Sequence, residues 1–224
     1  MLLVKGLNKI VMTGESSLQI LKDISFSLEK GKSLAIVGES GSGKTTLLGL
    51  LAGLDQPTTG QVSIDEQSIF EMTEDERALV RKNNIGFVFQ SFQLIDGLTA
   101  LENVMMPLEL RADPKAKEKA TSQLGQVGLS ERLHHFPNQL SGGEQQRVAV
   151  ARAFVTDPKV LFADEPTGNL DTITGQKVIE LMFELNQKNG TTMVLVTHDL
   201  HLAERCDFKI SLSAGELIDS NLPK

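Results

Sequence analysis

Apolar and polar residues follow two alternating spacings along this 224-residue chain, which predict strands and helices in turn. Short apolar runs and runs with every second residue apolar are typical of strands, and spacings of three and four residues are typical of helices. The predicted strands are 2–9, 20–28, 34–37, 61–64, 85–89, 160–163 and 193–196. The predicted helical segments are 44–52, 73–82, 99–128 with a break at Pro114, 141–155 and 175–188. Strands that alternate with helices predict a parallel sheet covered on both faces.

The turn between the strand 34–37 and the following helix is rich in glycine and matches the phosphate-binding pattern G-x-x-x-x-G-K-[ST]. Glycines let backbone N–H groups turn toward phosphate oxygens, and the helix adds its positive end. Lys44 can reach the β- and γ-phosphates, and the Thr45 hydroxyl can bind Mg²⁺. A glycine-rich turn without a ligand is the alternative interpretation. The residues expected to contact the nucleotide are Gly38, Glu39, Ser40, Gly41, Ser42, Gly43, Lys44, Thr45 and Thr46.

Two acids follow the apolar run 160–163, where that strand leaves the core. Asp164 is placed to hold Mg²⁺, usually through water, and Glu165 to orient and deprotonate the attacking water. A strand that simply ends in two solvated acids is the alternative.

The segment Leu140-Ser-Gly-Gly-Glu144 combines a helix start with two glycines. Ser141 and Glu144 have the spacing of a capping box. Gly142 and Gly143 are poor helix formers, each costing up to about 1 kcal/mol against alanine. Capping does not require them, whereas close approach of an anion to the backbone would.

The longer segment LSGGEQQRVAVARA resembles the signature segment of the ABC ATPase family, and the family's other motifs follow in order. Gln90 matches the glutamine of the Q-loop, Asn169-Leu170-Asp171 matches the D-loop, and His198 matches the switch histidine. The resemblance implies that Gln90 binds the metal and that His198 and Gln90 assist Glu165 in hydrolysis. Each has a structural alternative: Gln90 could cap a strand, Asp171 could cap a helix, and His198 could begin one.

The resemblance also implies the architecture and the assembly. The fold class is α/β: a phosphate-loop NTPase core with a mostly parallel sheet, an N-terminal antiparallel β part and an inserted helical subdomain. We expect one ABC ATPase domain over 1–224, with 1–90 and 157–224 as the core and about 91–156 as the helical subdomain. In a head-to-tail homodimer, residues of one subunit contact the ATP and Mg²⁺ site of the other. These residues are Ser141, Gly142, Gly143, Glu144 and Asp171.

Two segments, EPTGNLD and QSFQLIDGLTALENVMMPL, resemble the ATPases of lipoprotein-release and macrolide-export systems. This implies a separate integral membrane permease that contacts the chain near 91–110. It also implies a peripheral position on the cytoplasmic face of the bacterial inner membrane. No apolar run approaches the 18 or so residues of a membrane span. The alternative is a soluble ABC ATPase acting on ribosomes or DNA. The net charge of −7 and the single ATPase module argue against a nucleic-acid partner.

One family feature is absent. ABC ATPases usually stack an aromatic residue near the end of the first strand on adenine, and the alignment places Val11 there, within one residue. The chain has no Tyr and no Trp, and its first Phe is Phe26. We therefore expect modest ATP affinity and a weak preference for adenine.

Overall fold

The computed structural model describes residues 1–14 and 16–223, and contacts divide the chain into two compact units. The first unit comprises Met1–Arg81 and Thr192–Lys224, and the second comprises Lys82–Thr191. The subdomain boundaries expected from the sequence, near 91 and 156, remain a prediction.

Strands and helices alternate along the described residues. The strands are β1 (Leu2–Thr13), β2 (Ser16–Leu28), β3 (Ser33–Val37), β4 (Thr59–Ile64), β5 (Gln67–Ser68), β6 (Ile85–Phe89), β7 (Val160–Asp164), β8 (Thr192–Val196), β9 (Phe208–Ser213) and β10 (Glu216–Ser220). The α-helices are α1 (Lys44–Leu51), α2 (Glu74–Asn84), α3 (Ala100–Leu110), α4 (Ala116–Gln126), α5 (Gly142–Phe154), α6 (Thr172–Asn189) and α7 (Leu200–Ala203). None of the described helices is long and apolar enough to cross a bilayer.

The first unit contains an antiparallel sheet in the order β2-β1-β4-β5, which confirms the antiparallel N-terminal part. It also contains β3, which pairs in parallel with β8 on one side and β9 on the other. Every residue of β3 and β8 is buried, as expected for parallel strands covered on both faces. The hairpin partner β10 closes this group antiparallel to β9.

The second unit pairs β6 and β7 in parallel and surrounds them with helices. α5 lies against β6, α3 and α6, and α3 also packs against α4. The register places Phe89 opposite Asp164, so the two strands end side by side.

Local signals at helix starts were accurate. The capping boxes at Thr73, Thr99 and Ser141 all form, each with the serine or threonine hydroxyl accepting from the backbone N–H three residues later. α6 begins three residues before its predicted start because Asp171 caps it, accepting from the Thr174 N–H at 3.0 Å. β5, β9, β10 and α7 were not predicted. β5 and α7 span only two and four residues, whereas β9 alternates Phe208, Ile210 and Leu212 with polar residues, a pattern that could have found it.

Candidate nucleotide site

The phosphate-binding loop lies in the first unit, between the buried strand β3 and the helix α1. Gly43 is the N-cap residue of α1, with a φ of 101°, and no side chain caps the helix. A Cβ on Gly43 would lie 3.0 Å from the Ile20 carbonyl oxygen and 3.0 Å from Leu21 Cδ2. The first turn of α1 also contains no acidic residue. The orphan N–H groups and the positive helix end are therefore left for an external anion.

Two side chains of the loop, Lys44 and Ser42, have well-defined surroundings. The Lys44 ammonium donates to the carbonyl oxygens of Gly38 and Glu39, both at 2.8 Å, and so folds back over the loop. Ser42 is buried, and its hydroxyl has no hydrogen-bond partner among the described residues. The Gly215 N–H, in the β9–β10 turn, donates to the Ser42 carbonyl at 3.2 Å and so connects the phosphate-binding loop to that turn.

His198 lies in the same unit, two residues beyond the end of β8. The buried Thr197 donates its N–H to Ile36 at 3.2 Å, and its hydroxyl accepts from the Asp199 N–H at 3.0 Å. Asp199 in turn caps α7, so His198 precedes the cap and does not begin the helix. Because β3 and β8 are parallel neighbours, the phosphate loop and His198 both follow the carboxyl ends of adjacent strands, the usual place for ligands in such sheets.

The acidic pair lies in the second unit. Asp164 is the last residue of β7, and Gln90 directly follows β6. Glu165 has a φ of 45°, in the left-handed region that a non-glycine residue seldom occupies. Its carbonyl accepts from the Gly168 N–H at 3.0 Å, which closes the turn toward the D-loop. Backbone strain of this kind clusters at functional sites.

Gln90 also contacts the D-loop directly. Its Nε2 donates to Asn169 Oδ1 at 3.1 Å, and Asn169 Nδ2 donates back to the Gln90 carbonyl at 3.0 Å. A Cβ on Gly168 would lie 2.6 Å from Gln90 Nε2, so the glycine leaves room for the glutamine side chain.

Two polar side chains that the sequence did not reveal, the half-buried Arg152 and the buried Asn103, fix the segment after Gln90. Arg152 donates to the carbonyls of Phe92 (2.9 Å) and Gln93 (2.6 Å), and burial lowers the pKa of its guanidinium. Asn103 is fully buried; it accepts from the Ile95 N–H and donates to the Ile95 carbonyl. A charged or amide residue inside an apolar helical run is the signal that could have found both.

The signature turn starts α5 in the second unit. The Glu144 carboxylate accepts from the Ser141 N–H at 2.9 Å and lies 2.9 Å from Arg132 Nε. The Ser141 hydrogen bonds, aided by Arg132, lower the pKa of Glu144 to about 2. Ser141 itself is exposed.

The two glycines of this turn have different surroundings. A Cβ on Gly143 would collide with Cγ2 of Thr174 in α6, so packing of α5 on α6 requires the glycine. A Cβ on Gly142 would only touch Leu170 Cδ2 at 3.4 Å and Phe92 Cζ at 3.7 Å. Helix packing therefore accounts for Gly143, which the sequence analysis had assigned to anion approach alone.

Two further predicted site residues lie on or beside regular elements. Val11 pairs with Leu18 in the β1–β2 hairpin and is half-buried. Asp171 is the N-cap of α6, which was the structural alternative for this residue. Within residues 1–14 and 16–223 there is no group of three or more His, Cys, Asp or Glu side chains that could hold a metal alone.

A phosphate loop between a buried parallel strand and an uncapped helix, with an acidic pair after another parallel strand, defines a phosphate-loop ATPase. The model of the ABC transporter family matches residues 21–168. The chain belongs to the ABC transporter family and is one of its ATPase subunits. The resemblance to the ABC ATPase family is thereby confirmed.

Relatives include the ABC transporter ATP-binding protein YbbA of Escherichia coli K12, which is 53% identical over 216 residues, 96% of this chain and 95% of YbbA. The lipoprotein-releasing system ATP-binding protein LolD of Hydrogenovibrio crunogenus is 47% identical over 95% of this chain and 94% of its own. The macrolide export ATP-binding/permease protein MacB of Rhodopirellula baltica is 46% identical over 96% of this chain but only 32% of its own length.

Solved structures agree with the fold. The dimeric post-hydrolysis state of the ATP-binding cassette MJ0796, bound to ADP and phosphate, has a TM-score of 0.91 and 39% identity, covering 100% of this chain and 99% of that one. A second dimeric structure of MJ0796 gives the same TM-score at 40% identity. These matches confirm the predicted α/β phosphate-loop fold.

Proposed function

We propose that this ATPase subunit works as a head-to-tail homodimer that binds ATP and Mg²⁺ and drives a separate integral membrane permease. The observation that carries the nucleotide assignment is the start of α1. Its N-terminus has neither a side-chain cap nor an acidic residue, and Lys44 covers the loop in front of it. A helix left in that state favours an anion such as the phosphates of ATP.

The residues expected at the metal are chemically suited to Mg²⁺. Thr45 supplies a hydroxyl, Gln90 an amide oxygen and Asp164 a carboxylate, and hard oxygen ligands with few protein carboxylates are what Mg²⁺ takes beside a nucleotide. Bound Mg²⁺ would neutralise charge that develops on the phosphates. Glu165 then orients and deprotonates the attacking water, and His198 assists beside the γ-phosphate.

A shared site explains the exposed signature turn. Ser141 caps α5 yet remains exposed, and Gly142 leaves its backbone accessible at the helix start. The exposed Ser141 hydroxyl and the backbone of Gly142 suit the γ-phosphate bound by Lys44 of the other subunit. The dimeric form of MJ0796 supports the same assembly for this chain.

The permease surface is proposed on the segment 91–110. Of its apolar residues, Leu108 is core, whereas Phe92 and Leu94 are half-buried and Ile95 is 44% exposed. The relatives LolD and MacB, named for lipoprotein release and macrolide export, support a permease partner. The location that follows is peripheral, on the cytoplasmic face of a bacterial inner membrane.

Co-purification tests this function. Affinity-tagged full-length chain is extracted with detergent from its native membranes, and the retained proteins are identified. We expect the wild type to retain an integral membrane protein and Ile95→Asp to retain at least about fivefold less of it. Leu79→Asp, at a leucine of α2 that is 54% exposed, should cause no loss. Recovery of ribosomal proteins or DNA in place of a membrane protein would overturn the proposal.

A further inference from the structure

Gln146 is a buried polar residue in the second turn of α5. It lies within the signature segment, but neither the capping box nor the glycine turn of that segment involves its side chain. Its side chain is 0% exposed among apolar neighbours of the same helix, such as Val148 and Ala149. A buried amide costs free energy unless it is hydrogen-bonded, so its partners indicate what it is for.

Both protons of the Gln146 amide are directed at main-chain carbonyls. Nε2 donates to the Phe89 carbonyl at 3.4 Å and, through a short hydrogen bond, to the Pro166 carbonyl. Phe89 immediately precedes Gln90, and Pro166 immediately follows Glu165. One amide therefore joins the backbone beside the Q-loop glutamine to the backbone beside the acidic pair.

The same amide leaves its oxygen unused. Gln146 Oε1 is buried and has no hydrogen-bond partner among the described residues. A leucine or methionine of similar size would fill the space without an orphan acceptor. The tie between the two carbonyls is what the glutamine supplies and an apolar side chain would not.

We propose that Gln146 is a positioning residue for ATP hydrolysis. From α5, its side chain fixes Gln90 and Glu165 relative to each other. The proposal rests on the proposed function, because it takes Gln90 and Glu165 to act on the metal and the attacking water. Gln146 does not itself act on the metal or the water in this proposal. It acts through the two carbonyls, which tie the backbone beside both residues to α5.

A positioning role predicts that a change at Gln146 lowers the turnover of ATP without changing its binding. The phosphate loop, in the other unit, retains its own contacts when Gln146 changes. Misplacement of catalytic groups by about 1 Å can lower turnover by up to about a hundredfold. The expected signature is therefore a lower kcat with an unchanged Kd for ATP.

The test compares Gln146→Met with Gln123→Met in the full-length chain. Gln123 is the matched control: it is a buried glutamine of the same unit, in α4, and its Nε2 has no partner among the described residues. We expect Gln146→Met to lower kcat at least about tenfold with the Kd for ATP within about twofold, and Gln123→Met to change neither. Thermal unfolding of each variant confirms that it is folded.

Gln146→Glu provides a second variant, because it keeps the size of the side chain and replaces the donor with oxygen. It should lower kcat at least as much as Gln146→Met. A wild-type kcat in both variants, equal losses in Gln146→Met and Gln123→Met, or a loss confined to ATP affinity would overturn the proposal. Failure of both Gln146 variants to fold would also overturn it, because Gln146 would then be required for folding and not for positioning. A wild-type chain that does not hydrolyse ATP would instead contradict the proposed function.

Discussion

Gln90 and Asn169 hold each other through two reciprocal hydrogen bonds, from Gln90 Nε2 to Asn169 Oδ1 and from Asn169 Nδ2 to the Gln90 carbonyl. Both residues are exposed, so water competes for the same groups. If Gln90 also binds Mg²⁺, as we propose, the metal takes the amide oxygen while Asn169 holds the amide Nε2. The D-loop asparagine then orients the side chain that binds the metal, which couples metal binding to D-loop position.

Removing that contact should weaken metal binding. We expect Asn169→Ala to raise the Mg²⁺ concentration for half-maximal ATPase rate by about twofold to tenfold, the equivalent of about one hydrogen bond. Asn83→Ala, at an exposed position of α2, is the control and should leave this concentration unchanged. The ATPase rate is measured against free Mg²⁺ at saturating ATP. An unchanged or lower Mg²⁺ requirement in Asn169→Ala would show that Asn169 does not orient Gln90 for the metal.

Glu165 is tested by removing its charge. If it deprotonates the attacking water, Glu165→Gln should keep the ATP affinity and lower turnover by about 10²- to 10⁴-fold, the usual contribution of a positioned base. Because ATP is not consumed, the variant should accumulate as an ATP-bound dimer on size exclusion. Near-normal hydrolysis in this variant would remove Glu165 from the mechanism.

The shared site is tested by mixing two inactive subunits. A Lys44→Ala subunit paired with a Ser141→Arg subunit contains one interface with both defects and one with neither. We expect ATPase activity in the mixture that exceeds the sum of the two separate preparations. Ser141→Arg acts at an exposed N-cap, so circular dichroism should show an intact fold. Full activity of either variant by itself would exclude a site shared between subunits.

Acid should weaken the signature turn. The pKa of Glu144 is about 2 in the folded chain against 4.5 as the ordinary value, so its carboxylate stabilises the fold above pH 4.5 and loses that contribution as the pH falls toward 2. We expect Glu144→Gln to lower the free energy of unfolding at pH 6 by about 1 kcal/mol, screened by solvent, and the difference to shrink by pH 3. Urea unfolding at both pH values measures it.

Glu102→Gln is the control, since Glu102 makes the same capping box and has only the weaker charge effect of His134 beside it. Its effect should be smaller. A difference between wild type and Glu144→Gln that does not depend on pH would show that the Arg132 and Ser141 contacts do not hold the charge.

The sequence predicted what local chemistry controls. Alternating polarity and capping boxes located most elements, and the glycine-rich loop was found between the expected strand and helix, because those signals depend on residues a few positions apart. What it missed depends on contacts between distant segments. Arg152 holding the carbonyls of Phe92 and Gln93, and Thr174 requiring Gly143, join residues 31 or more positions apart, and no local pattern encodes them.

The adenine contact is tested on the first hairpin. Ile10 pairs with Gln19 and Val11 with Leu18, so adjacent side chains on this strand point to opposite faces. A tyrosine introduced at one position can therefore stack on adenine while one at the other cannot. We expect Val11→Tyr to tighten ATP binding at least about fivefold, equal to about 1 kcal/mol, and Ile10→Tyr to leave it unchanged.

The wild type, whose Val11 offers only apolar contact, should bind ATP and GTP with similar affinity. Competition measurements of both nucleotides on the three proteins decide. A tighter Ile10→Tyr would move the contact by one residue, whereas strong ATP selectivity in the wild type, unaltered by either tyrosine, would place the base elsewhere.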